Sequence, residues 1–131
     1  MDALRPLIAL VDDEAPVRTA LRRLLRSAGM EVHAYAGGEE FLDDLGEHQP
    51  DCVVLDIRMP NMSGYDVQAR LNAAGVKCPV IFITALDEPG DSDAAVQSGA
   101  FALLHKPFDD QALIDCIAAA VAARRKDGTG P

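Results

Sequence analysis

Five short apolar runs recur along the chain, and stretches with helical periodicity separate them. The first run, Leu7 to Val11, and the third, Cys52 to Asp56, are continuously apolar up to an aspartate, which is typical of strands covered on both faces. β-branched residues dominate the fourth run, Pro79 to Thr84. Glu31 to Tyr35 and Phe101 to His105 supply the second and fifth runs. The pattern therefore predicts five short strands.

Helices are predicted between these runs. The clearest covers about Ala15 to Ala28, where Val17 and several leucines recur at helical spacing. Pro16 suits the first turn of this helix, and Gly29 follows its end. The other predicted helices are a short one containing Phe41, Leu42 and Leu45, one over Gly64 to Ala74, a weak one over Pro89 to Ser98 and a strong one from about Asp109 to Ala123.

The alternation of strands and helices predicts an α/β fold with a single five-stranded parallel sheet covered by helices on both faces. Right-handed crossovers leave few possible strand orders, and the flavodoxin-like order 2-1-3-4-5 suits five units of this size. A length of 131 residues has room for one domain. We expect it to cover residues 1–123, followed by a flexible tail over residues 124–131, which is rich in charge, glycine and proline.

Composition excludes several classes of function. The chain has 21 acidic and 12 basic residues and a net charge of −9, which argues against nucleic-acid binding by this domain. It lacks a long apolar run and a secretory signal pattern, so we expect a cytoplasmic protein without membrane contact. The cysteines are interpreted as buried apolar residues in a reducing compartment, and the histidines, which share no ligand spacing, as structural or surface residues: Cys52, Cys78, Cys116, His33, His48 and His105.

Reactive side chains follow four of the predicted strands. Asp12 and Asp13 follow the first strand, Asp56 ends the third, Thr84 ends the fourth and Lys106 follows the fifth. Parallel strands present their carboxyl ends at one edge of the sheet, where ligands bind. Three clustered carboxylates repel one another unless a cation lies among them, and Mg²⁺ prefers such oxygen ligands. A hydroxyl and an ammonium group beside them favour binding of a phosphoryl group, so the pattern predicts Mg²⁺-dependent phosphoryl transfer.

Four motifs in this order and spacing resemble one family. They are Asp12-Asp13, the segment Val53 to Pro60 with Gly64 after it, Ile83-Thr84-Ala85, and Lys106-Pro107-Phe108. Together they resemble the receiver domains of two-component response regulators, and the resemblance covers about Leu7 to Ala123. Each motif is weak alone, but the ordered set is highly specific.

The resemblance implies a chemical role for each acidic residue. Asp56 is expected to accept a phosphoryl group from the phosphohistidine of a sensor histidine kinase or a phosphotransfer protein, forming an aspartyl phosphate. For Mg²⁺, Asp13 is expected to be a direct ligand and Asp12 to act largely through water. Asp56 is expected to contribute an oxygen, and the backbone carbonyl of Arg58 is expected to complete the set. The domain is expected to assist its own phosphorylation and dephosphorylation rather than to act as an enzyme on a separate substrate.

The resemblance also implies a switch. Thr84 and Lys106 are expected to bind the phosphoryl oxygens, with a cis peptide bond between Lys106 and Pro107. Movement of Thr84 is expected to remodel the face formed by the fourth helix, fifth strand and fifth helix, where an output partner or a second copy of the chain binds. Leu103 stands where the family commonly has Tyr or Phe. Phe101 lies on the same strand face and is a candidate to replace that aromatic residue in part, although a role only in the core is its favoured interpretation. The segment Pro89 to Ser98 is a poor helix former, so we expect a weakly held fourth helix.

Two alternative classes of function fit these residues less well. A pseudo-receiver that binds partners without phosphorylation would have no need for three mutually repelling carboxylates. A haloacid dehalogenase-like hydrolase requires an acid two positions after its nucleophile, and Arg58 stands there. Binding of a nucleotide cofactor is disfavoured because no G-x-G-x-x-G motif follows the first strand. The sequence leaves open whether the chain acts alone or as part of a longer regulator.

Overall fold

The computed structural model describes residues 5–85 and 88–128, with side chains up to residue 125. Strands and helices alternate along this part of the chain. Their bounds are β1 (Leu7–Val11), α1 (Ala15–Ser27), β2 (Glu31–Tyr35), α2 (Gly38–Asp44), β3 (Cys52–Asp56), α3 (Gly64–Ala73), β4 (Val80–Thr84), α4 (Asp91–Ser98), β5 (Ala102–His105) and α5 (Asp110–Gly128). No helix in the described ranges has both the length and the apolar character that crossing a membrane requires.

All five strands pair in parallel in the order β2-β1-β3-β4-β5, which confirms the predicted fold. At the carboxyl edge, Asp56 pairs in register with Ile83, and Thr84 pairs with His105. The strand order reverses between β1 and β3. β2 lies on one side of β1, and the later strands β3, β4 and β5 lie on the other side. The ends of β1 and β3 therefore form the crevice in which such sheets bind ligands.

Side chains that alternate along the strands form two buried apolar layers, one on each face of the sheet. On one face, strand residues such as Ile8 and Val54 pack with α1 and α5; on the other, residues such as Val53 and Phe82 pack with α2, α3 and α4. The three central strands are buried almost throughout, because helices cover both faces of the sheet. This continuous burial explains why β1, β3 and β4 are the most uniformly apolar runs in the sequence.

The last helix is longer than predicted. α5 continues to Gly128 rather than ending near Ala123, so the first five residues of the expected tail are helical. Residues 129–131 lie outside the described part of the chain. No glycine or proline interrupts the helix before Gly128, and Arg124 contacts the Asp51 carboxylate at 3.4 Å. Its position near the helix end also suits the negative end of the helix dipole.

Candidate functional site

The carboxylates predicted to act together do lie together at the carboxyl edge of the sheet. Asp12, Asp13 and Asp56 each offer an oxygen, and these oxygens lie within 4.8 Å of one another. Asp12 is fully buried and Asp56 is 5% exposed, whereas Asp13 faces solvent. Burial, followed by the charge of Asp12, raises the pKa of Asp56 from 3.8 to about 6 against the opposing effect of Lys106. The cluster therefore contains a repulsion that a bound cation would relieve.

Lys106, which directly follows β5, brings a positive charge into this cluster. Its ammonium donates to Asp12 Oδ2 at 3.0 Å and lies 3.9 Å from Asp56 Oδ2. It is also 3.9 Å from the carboxylate of Glu14, a residue that belongs to none of the sequence motifs. The peptide bond between Lys106 and Pro107 is cis, as expected. The fold thus brings Lys106 into contact with Asp12, although the two residues are 94 positions apart in the sequence.

An open cleft of about 190 Å³ gives solvent access to this network. Its described lining is Asp13, Glu14, Asp56, Arg58, Ala85 and Lys106. Thr84 is fully buried at the end of β4 and is not among these described lining residues, although its neighbour Ala85 is. The fold therefore places the predicted hydroxyl at the correct edge of the sheet but keeps it buried beside the cleft.

The loop after β3 is built closely around Asp56. The amide of Arg58 donates to Asp56 Oδ1 at 3.2 Å, and the amide of Gly64 donates to the carbonyl of Ile57 at 2.9 Å. A Cβ at Gly64 would lie only 2.7 Å from the backbone oxygen of Asp56. Ser63 caps α3 through a reciprocal capping box with Asp66. Glycine is therefore required at position 64 so that the start of α3 can pack against the site strand.

The Arg58 side chain binds the start of α4. It donates to both carboxylate oxygens of Asp91, at 2.7 and 2.6 Å. The hydroxyl of Tyr65 donates to the same carboxylate at 2.7 Å, and the amide of Glu88 does so at 2.9 Å. Burial raises the pKa of Asp91, but these hydrogen bonds outweigh it and hold the pKa below its usual value. α4 is thus anchored at its first residue, which the sequence-based expectation of a weakly held helix missed.

The two candidate switch residues at β5, Leu103 within the strand and Phe101 just before it, differ in environment. Leu103 is partly buried against the apolar layer that includes α3 and α4. Phe101 is 43% exposed, so the favoured interpretation of it as a core residue was wrong. It lies just before β5, where the edge of the sheet leaves its ring partly uncovered. On α4, Val96 is 76% exposed, and these two are the exposed large apolar side chains among the described residues.

Comparison with known proteins identifies what this arrangement is similar to. The family described as response regulator receiver domain matches residues 8–118. Transcriptional regulatory protein TdiR of Thauera aromatica is 40% identical over 119 residues, which cover 91% of this chain and 52% of TdiR. Response regulator protein TmoT of Ectopseudomonas mendocina is 36% identical over 121 residues, covering 92% and 55% of the two chains. The crystal structure of a response regulator receiver protein from Burkholderia phymatum is 46% identical, with a TM-score of 0.81 over 90% of this chain and 96% of that one.

This chain spans about half the length of the curated relatives it matches. The family match begins in β1 and ends within α5, so it includes the acidic cluster, Lys106 and every strand of the sheet. Sequence similarity and structural similarity cover nearly the same residues. The chain belongs to the response regulator receiver domain family.

Proposed function

We propose that this domain is a phosphorylation-activated signalling receiver in which Asp56 is the phosphoacceptor. The observation that carries the proposal is the burial of the Asp56 carboxylate beside two further carboxylates and the ammonium of Lys106, at a cleft open to solvent. A carboxylate in this position can be reached by a phosphodonor, while its neighbours supply the charges that phosphoryl transfer requires.

Mg²⁺ fits the donor set at this site. The cluster consists of carboxylate oxygens, which Mg²⁺ prefers, and the raised pKa of Asp56 reflects burial and repulsion from Asp12 that a cation would offset. We assign Asp13 and Asp56 as direct ligands, Asp12 as a partner acting largely through water, and the backbone carbonyl of Arg58 as the remaining protein ligand. When bound, Mg²⁺ would supply charge stabilisation for the transferring phosphoryl group.

The proposed reaction joins one oxygen of Asp56 to phosphorus. That oxygen attacks the phosphorus of a kinase phosphohistidine, the phosphorus–nitrogen bond breaks, and the imidazole nitrogen keeps the bonding electron pair. Lys106 lies 3.9 Å from Asp56 Oδ2 and is placed to stabilise negative charge on the phosphoryl oxygens. Thr84 would contribute its hydroxyl after Thr84 and the loop that follows it move toward the phosphoryl group.

The output surface that we propose is the face formed by α4, β5 and α5. Arg58 links the loop beside Asp56 to Asp91 at the start of α4, which connects the phosphorylation site to this face directly. The exposed apolar side chains of Val96 and Phe101 lie on α4 and just before β5, and apolar side chains of this kind favour protein association. Leu103 lacks the polar edge of tyrosine, so we expect the signal to travel mainly through the backbone after β4 and through α4.

The proposed partners are a sensor histidine kinase or phosphotransfer protein on the input side, and an output partner or a second copy of the chain at the α4, β5 and α5 face. Direct binding to nucleic acid or membrane is not part of the proposal. The reaction is assigned to the cytoplasm, and the free cysteines among the described residues suit a reducing compartment. Residues 1–123 are the proposed receiver unit.

Intact-mass measurement tests the central assignment. Incubation of the wild-type chain with a small phosphodonor and Mg²⁺ should add the mass of one phosphoryl group, which peptide mapping should place on Asp56. Asp56→Asn should add none, whereas the exposed control Asp43→Asn should behave as wild type. A phosphorylated Asp56→Asn protein, with the modification mapped to another residue, would contradict the assignment.

Hydrogen exchange tests the proposed output. Binding of the phosphoryl mimic beryllofluoride with Mg²⁺ should change exchange most between Ala85 and Leu104. Leu103→Tyr should alter partner binding or dimerisation more than phosphoryl uptake. Unchanged exchange in this segment, with a response in α1 and α2 instead, would place the output surface elsewhere.

A further inference from the structure

A second group of metal-ligating side chains lies on a different part of the fold, against the edge strand β2. His33 on β2, Asp44 at the end of α2 and His48 in the loop that follows each offer a ligand atom, and these atoms lie within 4.8 Å of one another. The histidines were interpreted from the sequence as unrelated structural or surface residues. The fold instead brings two of the three histidines to one carboxylate.

The separations in this cluster suit a small ion. His48 Nδ1 lies 3.2 and 3.1 Å from the two carboxylate oxygens of Asp44. The rings of His33 and His48 meet edge to face, with centroids 4.7 Å apart and an interplanar angle of 82°. A tetrahedral zinc ion with bonds of about 2.0–2.1 Å holds neighbouring ligand atoms roughly 3.3 Å apart. The spacing of His48 and Asp44 therefore already matches that of two zinc ligands.

The contacts of Asp44 favour a carboxylate that can bind a metal ion. The hydroxyl of Tyr35, next but one to His33 on β2, donates to Asp44 Oδ2 at 2.6 Å. This hydroxyl, followed by His48, lowers the pKa of Asp44, so the carboxylate is in its ligating form. Hydrogen-bond partners of this kind orient metal ligands and are important for affinity.

The cluster is also accessible to an ion from solvent. The side chains of His33, Asp44 and His48 are 29%, 34% and 48% exposed. Their partial exposure allows the small side-chain movements that metal binding would require. It also leaves room for a water molecule as the fourth ligand of the metal ion. Glu31 lies nearby, with its carboxylate 3.6 Å from His33 Nε2.

We propose that His33, Asp44 and His48 form a binding site for a zinc-class divalent transition metal. Two imidazole nitrogens and one carboxylate favour Zn²⁺ or Co²⁺ over Mg²⁺, which prefers oxygen ligands. The site is thus chemically distinct from the acidic cluster at Asp56. An ion bound here joins β2 to the end of α2 and the loop leading to β3. It stabilises the folded chain because the unfolded chain lacks the assembled ligands.

Calorimetric titration with Zn²⁺ tests the site, with excess Mg²⁺ present to occupy the acidic cluster. Wild type should bind one equivalent, and His33→Gln and His48→Gln should each weaken binding by at least about tenfold. His105→Gln is the matched control, because His105 ends β5 at the opposite edge of the sheet, and it should bind Zn²⁺ as wild type does. Zn²⁺ should raise the melting temperature of wild type and of the control but not of the other two variants.

Imidazole NMR spectra of the wild-type protein locate the ion without any substitution. Zn²⁺ should perturb the ring signals of His33 and His48 together, saturating at one equivalent, and leave those of His105 unchanged. Equal Zn²⁺ affinity in wild type, His33→Gln and His48→Gln would overturn the proposal. It would also be overturned if Asp13→Asn abolished binding while the histidine variants did not, since the ion would then belong to the acidic cluster.

Discussion

Replacement of Asp56 by asparagine should stabilise the folded protein, and the gain should depend on pH. The carboxylate is 5% exposed and lies beside Asp12. Its pKa rises from 3.8 to about 6 on folding, and each pKa unit corresponds to about 1.4 kcal/mol. The folded wild type binds more protons than the unfolded chain in this interval, so its stability falls as pH rises from about 4 to about 6. Above that interval, the ionised carboxylate lowers the free energy of unfolding by about 3 kcal/mol. Asparagine carries no charge and avoids this loss.

Urea unfolding of wild type and Asp56→Asn measures this difference. Asparagine preserves the shape and can still accept the hydrogen bond from the Arg58 amide. The variant should therefore be more stable by about 3 kcal/mol near pH 7.5 and by roughly half that value near pH 5. Asp43→Asn, at an exposed position, should change stability by less than about 0.5 kcal/mol. Excess Mg²⁺ should reduce the advantage of Asp56→Asn, because the cation compensates the wild-type charge.

Two results would refute this reasoning. An equal gain near pH 5 and pH 7.5 would mean that the stabilisation does not come from the charge of Asp56. A variant less stable than wild type near pH 7.5 would mean that the attraction between Asp56 and Lys106 outweighs burial and repulsion from Asp12.

Three further predictions concern the surrounding loops. Asp13→Asn should weaken Mg²⁺ binding by at least about tenfold in calorimetry, whereas Arg58→Ala should leave Mg²⁺ affinity nearly unchanged. An equal loss of Mg²⁺ affinity in the two variants would show that the proposed coordination is wrong. Arg58→Ala should instead lower the free energy of unfolding by about 2 kcal/mol and speed hydrogen exchange at the start of α4, since Asp91 loses a charged partner; unchanged exchange there would argue against the anchor. Gly64→Ala should cost about 1–3 kcal/mol in urea unfolding because its Cβ meets backbone atoms, while Gly46→Ala, with open space around its Cβ, should cost little; equal effects would exclude the steric cause.

The sequence by itself determined the architecture and the composition of the acidic site. Continuous apolar runs such as Leu7–Val11 are fully explained by burial between two helical layers. Because parallel strands end at one edge, aspartates placed after those runs had to meet, as Asp12 and Asp56 do. This inference needs only local periodicity and the geometry of a parallel sheet, both of which can be read from neighbouring residues.

The tertiary structure decided which distant side chains meet. Arg58 binds Asp91, 33 positions away, and that contact turns a weak helix-forming segment into an anchored α4. His33 and His48 share no ligand spacing. His48 contacts Asp44 locally, four positions along the chain, whereas only the packing of α2 against β2 brings His33 to the same carboxylate. The sequence pattern reports which face of an element is buried, because burial of apolar area depends on side-chain type and periodicity. Pairing between polar side chains instead depends on distances and angles of a few ångströms and degrees, which arise only when the helices have packed onto the sheet.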